Sequence, residues 1–170
     1  MKVGNYVFEI KNFKYLESRS EETYCFSAVL YTNGKKVANC GNSGQGGPTD
    51  IYFLPQYQEM EREIKSFLKI QPKIKYKDYE FSQTLEYIVN GLVEEHLKAE
   101  NLKKLMKRTR QSLIFHTPKG TYYQIKWKKH TIDELLKIPS GRNMLKKTIA
   151  DHVAEGNILI NENIPSELLP

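Results

Sequence analysis

No run of the sequence approaches the roughly 18 consecutive apolar residues that a membrane span requires. The N-terminus, Met1-Lys2-Val3-Gly4-Asn5, lacks the apolar stretch of a secretory signal. The expectation is a protein of the cytoplasm with no membrane partner. Cysteine is scarce too. If Asn33-Gly34 forms a two-residue turn, Cys25 lies opposite Asn42 and Cys40 opposite Ser27, so the two thiols sit diagonally and a disulfide is disfavoured. The histidines, His96, His116, His130 and His152, are scattered, and neither C-x-x-C nor H-E-x-x-H occurs. Glu94 and Glu95 are adjacent on a predicted helix and point in different directions. Glu59, Glu61 and Glu63 decorate a solvated face. No general acid/base pair emerges. These absences predict no catalytic residues, no metal ligands and no cofactor, and favour a binding protein over an enzyme.

What is present suffices for a packed core. The chain has 170 residues, 39% of them hydrophobic and 27% charged, within the range of one globular domain. The first 54 residues read mainly as strands: Tyr6 to Ile10 alternates, and so does Thr23 to Thr32. Asn33-Gly34 is a strong hairpin signal, because both residues tolerate positive φ, and Lys35 to Cys40 returns from it. Both faces of this hairpin are apolar, which predicts a central position in its sheet.

Residues 55–110 read as helical. Met60, Ile64, Phe67 and Leu68 recur at helix spacing before Pro72. A longer helix, with Ser82 as its expected N-cap, carries an apolar stripe from Leu85 to Met106 and runs to about Arg110. Gly91 inside it marks a close approach or a bend. Residues 111–160 read as a second hairpin, then helices at Ile132–Lys137 and Ser140–Glu155, with Gly156 as a C-terminal cap and Ile158 to Ile160 as an edge strand. Residues 161–170 read as a tail. The prediction is a single α+β domain: an antiparallel N-terminal sheet, a long central helix, a second hairpin and C-terminal helices.

Two features could carry binding. Between Gly41 and Asp50 stand four glycines in seven residues. Gly44, Gly46 and Gly47 could expose backbone N–H groups as a nest for phosphate or carboxylate. Asn42, Ser43, Gln45 and Thr49 would add side-chain donors and acceptors. The pattern is neither a Walker loop nor a dinucleotide fingerprint, and a plain multi-residue turn is the competing reading. Ser43 as a nucleophile is disfavoured, since no strand-to-helix turn surrounds it.

The second feature is charge. Residues 98–147 carry 14 Lys and Arg against 3 Asp and Glu. Lys103, Lys104, Lys107, Arg108 and Arg110 load the end of the long helix, and Lys126 and Lys128 flank Trp127. Such a surface suits nucleic acid or another acidic partner. The competing reading is a solvated face, with part of the run complementing the helix C-terminus. Tyr123, Ile125 and Trp127 share one strand face and are expected in the core.

The stretch Glu21-Glu22-Thr23-Tyr24-Cys25-Phe26 through Tyr31, then Asn33-Gly34-Lys35-Lys36 and Asn42-Ser43-Gly44-Gln45-Gly46-Gly47-Pro48-Thr49, resembles a hairpin-plus-glycine pattern of uncharacterised small proteins encoded by bacteriophages and mobile elements. The order of the later elements is similar as well. The resemblance implies an accessory protein in the cytoplasm of a host cell. It would inhibit antiviral defence by binding a host protein or a nucleotide ligand, with nucleic-acid binding as the alternative. Homo-oligomerisation stays open.

Overall fold

The computed structural model describes every residue from Met1 to Pro170. The chain is α+β, and its internal contacts divide it into two compact units, residues 1–97 and 98–170.

The first unit is built on a five-stranded antiparallel sheet of β1 (Lys2–Val3), β2 (Tyr6–Tyr15), β3 (Phe26–Thr32), β4 (Lys35–Asn42) and β5 (Asp50–Phe53), paired in chain order. Asn33 and Gly34 take φ of 49° and 77°, the doubly positive turn that matches strand twist. Asn33 also accepts the Val7 N–H through Oδ1 at 2.8 Å, which ties the turn to β2. The hairpin lies inside the sheet, as its two apolar faces require.

Its register departs from the simple expectation. Thr32 pairs with Lys35 and Tyr31 with Lys36, but Leu30 pairs with Ala38. One residue of β4, Val37, is therefore bulged, and every later pair shifts by one. Cys40 faces Ala28 rather than Ser27, and Asn42 faces Phe26 rather than Cys25. Both cysteines are free and buried. Burial pushes the Cys40 thiol up to about 11, so it is protonated and unreactive at neutral pH.

Two helices cover one face of this sheet. In α1 (Gln58–Lys69), Ile64 and Leu68 are fully buried. In α2 (Leu85–Met106), Ile88, Val89, Leu92 and Val93 join them over Phe8, Ile10, Ala28 and Leu30. The cap of α2 is Thr84, whose hydroxyl accepts the Tyr87 N–H, and not Ser82. Gly91 marks a close approach: a Cβ there would meet the Met1 side chain at 2.8 Å. Within the 55–110 stretch read as helical, a hairpin of β6 (Ile74–Tyr76) and β7 (Tyr79–Phe81) separates α1 from α2, and α2 stops at Met106 rather than near Arg110; β1 fills an N-terminal stretch without an expected element.

The second unit holds the last turns of α2, from Lys98, and a three-stranded sheet. There β8 (Ser112–His116) lies between β9 (Tyr122–Lys126) and β10 (Ile158–Leu159). Tyr123, Ile125 and Trp127 pack against its core, as their shared strand face predicts. Thr131 and Glu134 form a capping box that starts α3 (Ile132–Leu135), and Pro139 opens α4 (Pro139–Ala154). Gly156, at φ 86°, closes α4 as expected.

Residues 161–170 are not a tail. Asn161, Ile164 and Leu168 are buried. Asn161 accepts the Ile114 N–H at 2.7 Å and donates to the carbonyls of Thr109 and Ser112, both at 2.9 Å. It thus completes backbone pairing that β10 leaves unfinished. Asn161→Ala strands one buried N–H and removes a donor from two carbonyls. At about 1–3 kcal/mol for each buried group left unpaired, the expected loss is roughly 3 kcal/mol, read from the shift in the urea unfolding midpoint.

Candidate functional site

The glycine-rich segment and the β2–β3 connection are knotted together by hydrogen bonds. Asn42 is the centre of the knot. Its Oδ1 accepts the Gly44 N–H and the Thr23 hydroxyl, each at 2.8 Å, and its Nδ2 donates to the Gly47 carbonyl at 2.8 Å. The Thr23 hydroxyl in turn accepts the Gly46 N–H at 3.3 Å. The Gly44 carbonyl receives three successive amides, from Glu21, Glu22 and Thr23, at 3.0, 3.0 and 3.3 Å. Gly44 is buried at φ 91°, and a Cβ there would collide with the Arg19 carbonyl. Only glycine permits this conformation at such proximity.

These bonds correct the anion-nest reading. The amides of Gly44 and Gly46 are spent inside the knot, and the Thr49 N–H donates to Glu86 Oε1 at 2.9 Å. Two of the three glycine amides that would form a nest are thus turned inward, and only the Gly47 N–H stays outside the knot.

Concavity is nevertheless present. A cavity of about 500 Å³ lies beside the knot, and of the seven loop residues singled out above, Asn42, Gly47 and Thr49 line it. Ser43, Gly44, Gln45 and Gly46 do not. Its chemistry is acidic. Glu21, Glu22, Glu86 and Glu94 line it, and no Lys, Arg or His does. An aromatic wall completes it: Tyr15 and Tyr24 meet edge to face at 6.0 Å, with buried Phe26 beside them. Asn90 contributes from α2, its Oδ1 accepting the Thr49 hydroxyl at 2.7 Å. Carboxylates and aromatic rings around a partly enclosed space attract a cation through charge and through the ring quadrupole.

The carboxylates and tyrosines escape the sequence reading because its motifs look for glycine and base. One signal was legible. Glu86, Asn90 and Glu94 stand at four-residue spacing and so share a helix face. Pairing Glu94 with its neighbour Glu95 hid that row.

The basic residues lie in the second unit. Lys104, Lys107, Arg108, Lys126 and Lys128 are exposed, Lys103 pairs with Glu100 at 3.0 Å, and Arg110 lies 4.0 Å from Asp133. Lys103, Lys104 and Lys107 rim an open depression of about 580 Å³ whose floor includes Leu102 and Met106. Three of the four histidines serve packing, His96 against Phe13, His116 against Tyr122, and His152 against Phe115 and Tyr123, while His130 is exposed. No three of the His, Cys, Asp and Glu residues are placed to hold a metal ion. No helix is long and apolar enough to cross a membrane.

No protein-family model, curated protein or solved structure matches the chain.

The knot makes a specific demand. Gly44→Ala combines positive φ with a backbone collision. It should lower stability by at least about 2 kcal/mol in chemical denaturation. Gly47→Ala, where a Cβ meets nothing within 4 Å, should leave stability almost unchanged.

Proposed function

We propose that the protein is a binding protein that captures a cationic side chain of a partner protein in the acid-rimmed cavity beside the glycine-rich loop. The observation that carries this reading is the sign of the lining: four carboxylates, three aromatic rings and no base. Such a lining repels a nucleotide phosphate and attracts lysine or arginine. The volume admits a long side chain and its aliphatic stem. The loop supplies rigidity, since its Gly44 and Gly46 amides are spent in holding it in place. On the likeness of the hairpin to phage-encoded accessory proteins, the partner is a host protein in the host cytoplasm and the effect is inhibition of a defence component.

N-acetyl-arginine amide is a suitable probe, with N-acetyl-glutamine amide as its neutral control. Calorimetric titration should show binding of the first only. Glu22→Gln with Glu86→Gln should weaken it by about tenfold or more, since a hydrogen bond to a charged group contributes about 1.5–3 kcal/mol. Equal binding of the two amides, no binding of either, or tighter binding of a nucleoside diphosphate would sink the reading.

A second reading rests on the lysine-rimmed depression at the end of α2, which offers cations beside an apolar floor. It makes the second unit a nucleic-acid contact. Affinity for a single-stranded oligonucleotide should then fall steeply with salt, and reversing the charge of Lys103, Lys104 and Lys107 should flatten that dependence. Binding that is unchanged in the reversed variant removes this reading.

A further inference from the structure

The outer edge of β5 is an open strand edge. In an antiparallel ladder, N–H and C=O groups point alternately toward and away from the neighbouring strand. The Leu54 N–H donates to the Val37 carbonyl at 2.8 Å, and β5 pairs with β4 in unbroken register, Asn39 with Tyr52 and Gly41 with Asp50. Tyr52 and Asp50 therefore turn their peptide groups toward β4. Ile51 and Phe53 turn theirs to the side where no further strand pairs. A strand laid along that side could make hydrogen bonds to the N–H and C=O of both residues.

A second cavity, about 450 Å³, lies at this strand. Thr49 and Ile51 form one wall, α1 another, and the segment 82–86 leading into α2 closes it. Buried Leu68 and Leu85 give it an apolar lining, and at its rim Lys65 is already paired with Glu61 at 2.7 Å. Its charged lining is two acids and two bases, Glu61 and Glu86 with Lys65 and Lys69, so it carries no net sign and suits an apolar side chain. The two cavities share Thr49 and Glu86, which the 2.9 Å bond from the Thr49 N–H holds together. Acid rim, apolar recess and open edge thus adjoin along one stretch of chain.

The geometry points to an extended segment of a partner protein as the occupant. It adds as a strand to β5, sets an apolar side chain in the second cavity and delivers a lysine or arginine to the acid-rimmed cavity. Main-chain pairing supplies affinity in this mode and the pockets supply sequence preference. Charge selects the occupant: the carboxylates at one end of the groove exclude an acidic segment and leave a basic one favoured. This rests on the cationic reading of the first cavity and adds the class of partner to it.

The test pans a random linear peptide library displayed on phage against the full chain. The enriched peptide is then synthesised, together with a version whose basic residue is glutamine. Enriched peptides should share a lysine or arginine at a fixed offset from an apolar residue. Saturation with the peptide should slow amide exchange at Ile51 and Phe53, read by NMR, by about tenfold or more. Ser82→Trp, which fills the second cavity, should weaken the peptide by about tenfold and leave N-acetyl-arginine amide binding unchanged.

Peptide binding that leaves exchange at Ile51 and Phe53 unaltered overturns the strand pairing and keeps the acid-rimmed cavity. So does N-acetyl-arginine amide binding with no peptide enriched. Enriched peptides that lack a basic residue, or that ignore Glu22→Gln, overturn both readings. Protection of the same amides by self-association without peptide makes a second copy of this chain the occupant, and overturns the partner segment.

Discussion

Three peptide N–H groups converge on the Gly44 carbonyl, and the Asn42 carboxamide closes the same knot from the other side. The polarity of the whole site follows from that arrangement. A loop of this length has N–H groups to satisfy, and here Asn42, Thr23 and the Glu86 carboxylate satisfy the principal ones. With those donors turned inward, the cavity is left with carboxylates, amide oxygens and ring faces. A glycine loop that would elsewhere cradle an anion here forms the rigid rim of a cavity lined by acids. The knot also fixes the backbone of Glu21 and Glu22, so two acids that would sample many positions in a free connection are held at the cavity.

Much of the fold was legible because its strongest signals are local. Asn33-Gly34 dictated a hairpin, the stripe from Leu85 dictated a long helix, and Thr131 with Glu134 made a capping box where a helix was expected. The misses have physical reasons. The bulge at Val37 depends on how β4 meets β3 and β5 together, and no pattern in β4 alone announces it. The β6–β7 hairpin alternates apolar and charged residues over only three positions a side, below what periodicity resolves. The C-terminal residues looked like a tail because their anchor is a buried asparagine, a residue type that ordinarily marks turns.

The site was half legible. Glycine content located the loop but not the acids that line the cavity beside it. Their placement depends on contacts between Thr23 and Gly46 or Thr49 and Glu86 that lie far apart in sequence. The charge asymmetry read from the chain holds in space: the basic run belongs to the second unit and the acid-rimmed cavity to the first. The first unit is close to neutral overall, with 12 Lys and Arg against 13 Asp and Glu in residues 1–97, so its acidity is local to the cavity.

Pro48 and Pro55 stand on either side of β5, two residues from each of its ends. Proline has no N–H and cannot continue a ladder. On the open edge Pro55 offers no N–H and the Thr49 N–H is already held by Glu86, so the free rungs are those of Ile51 and Phe53. Open sheet edges invite runaway stacking of like chains, and an edge with only two free rungs makes a poor template for fibrous growth.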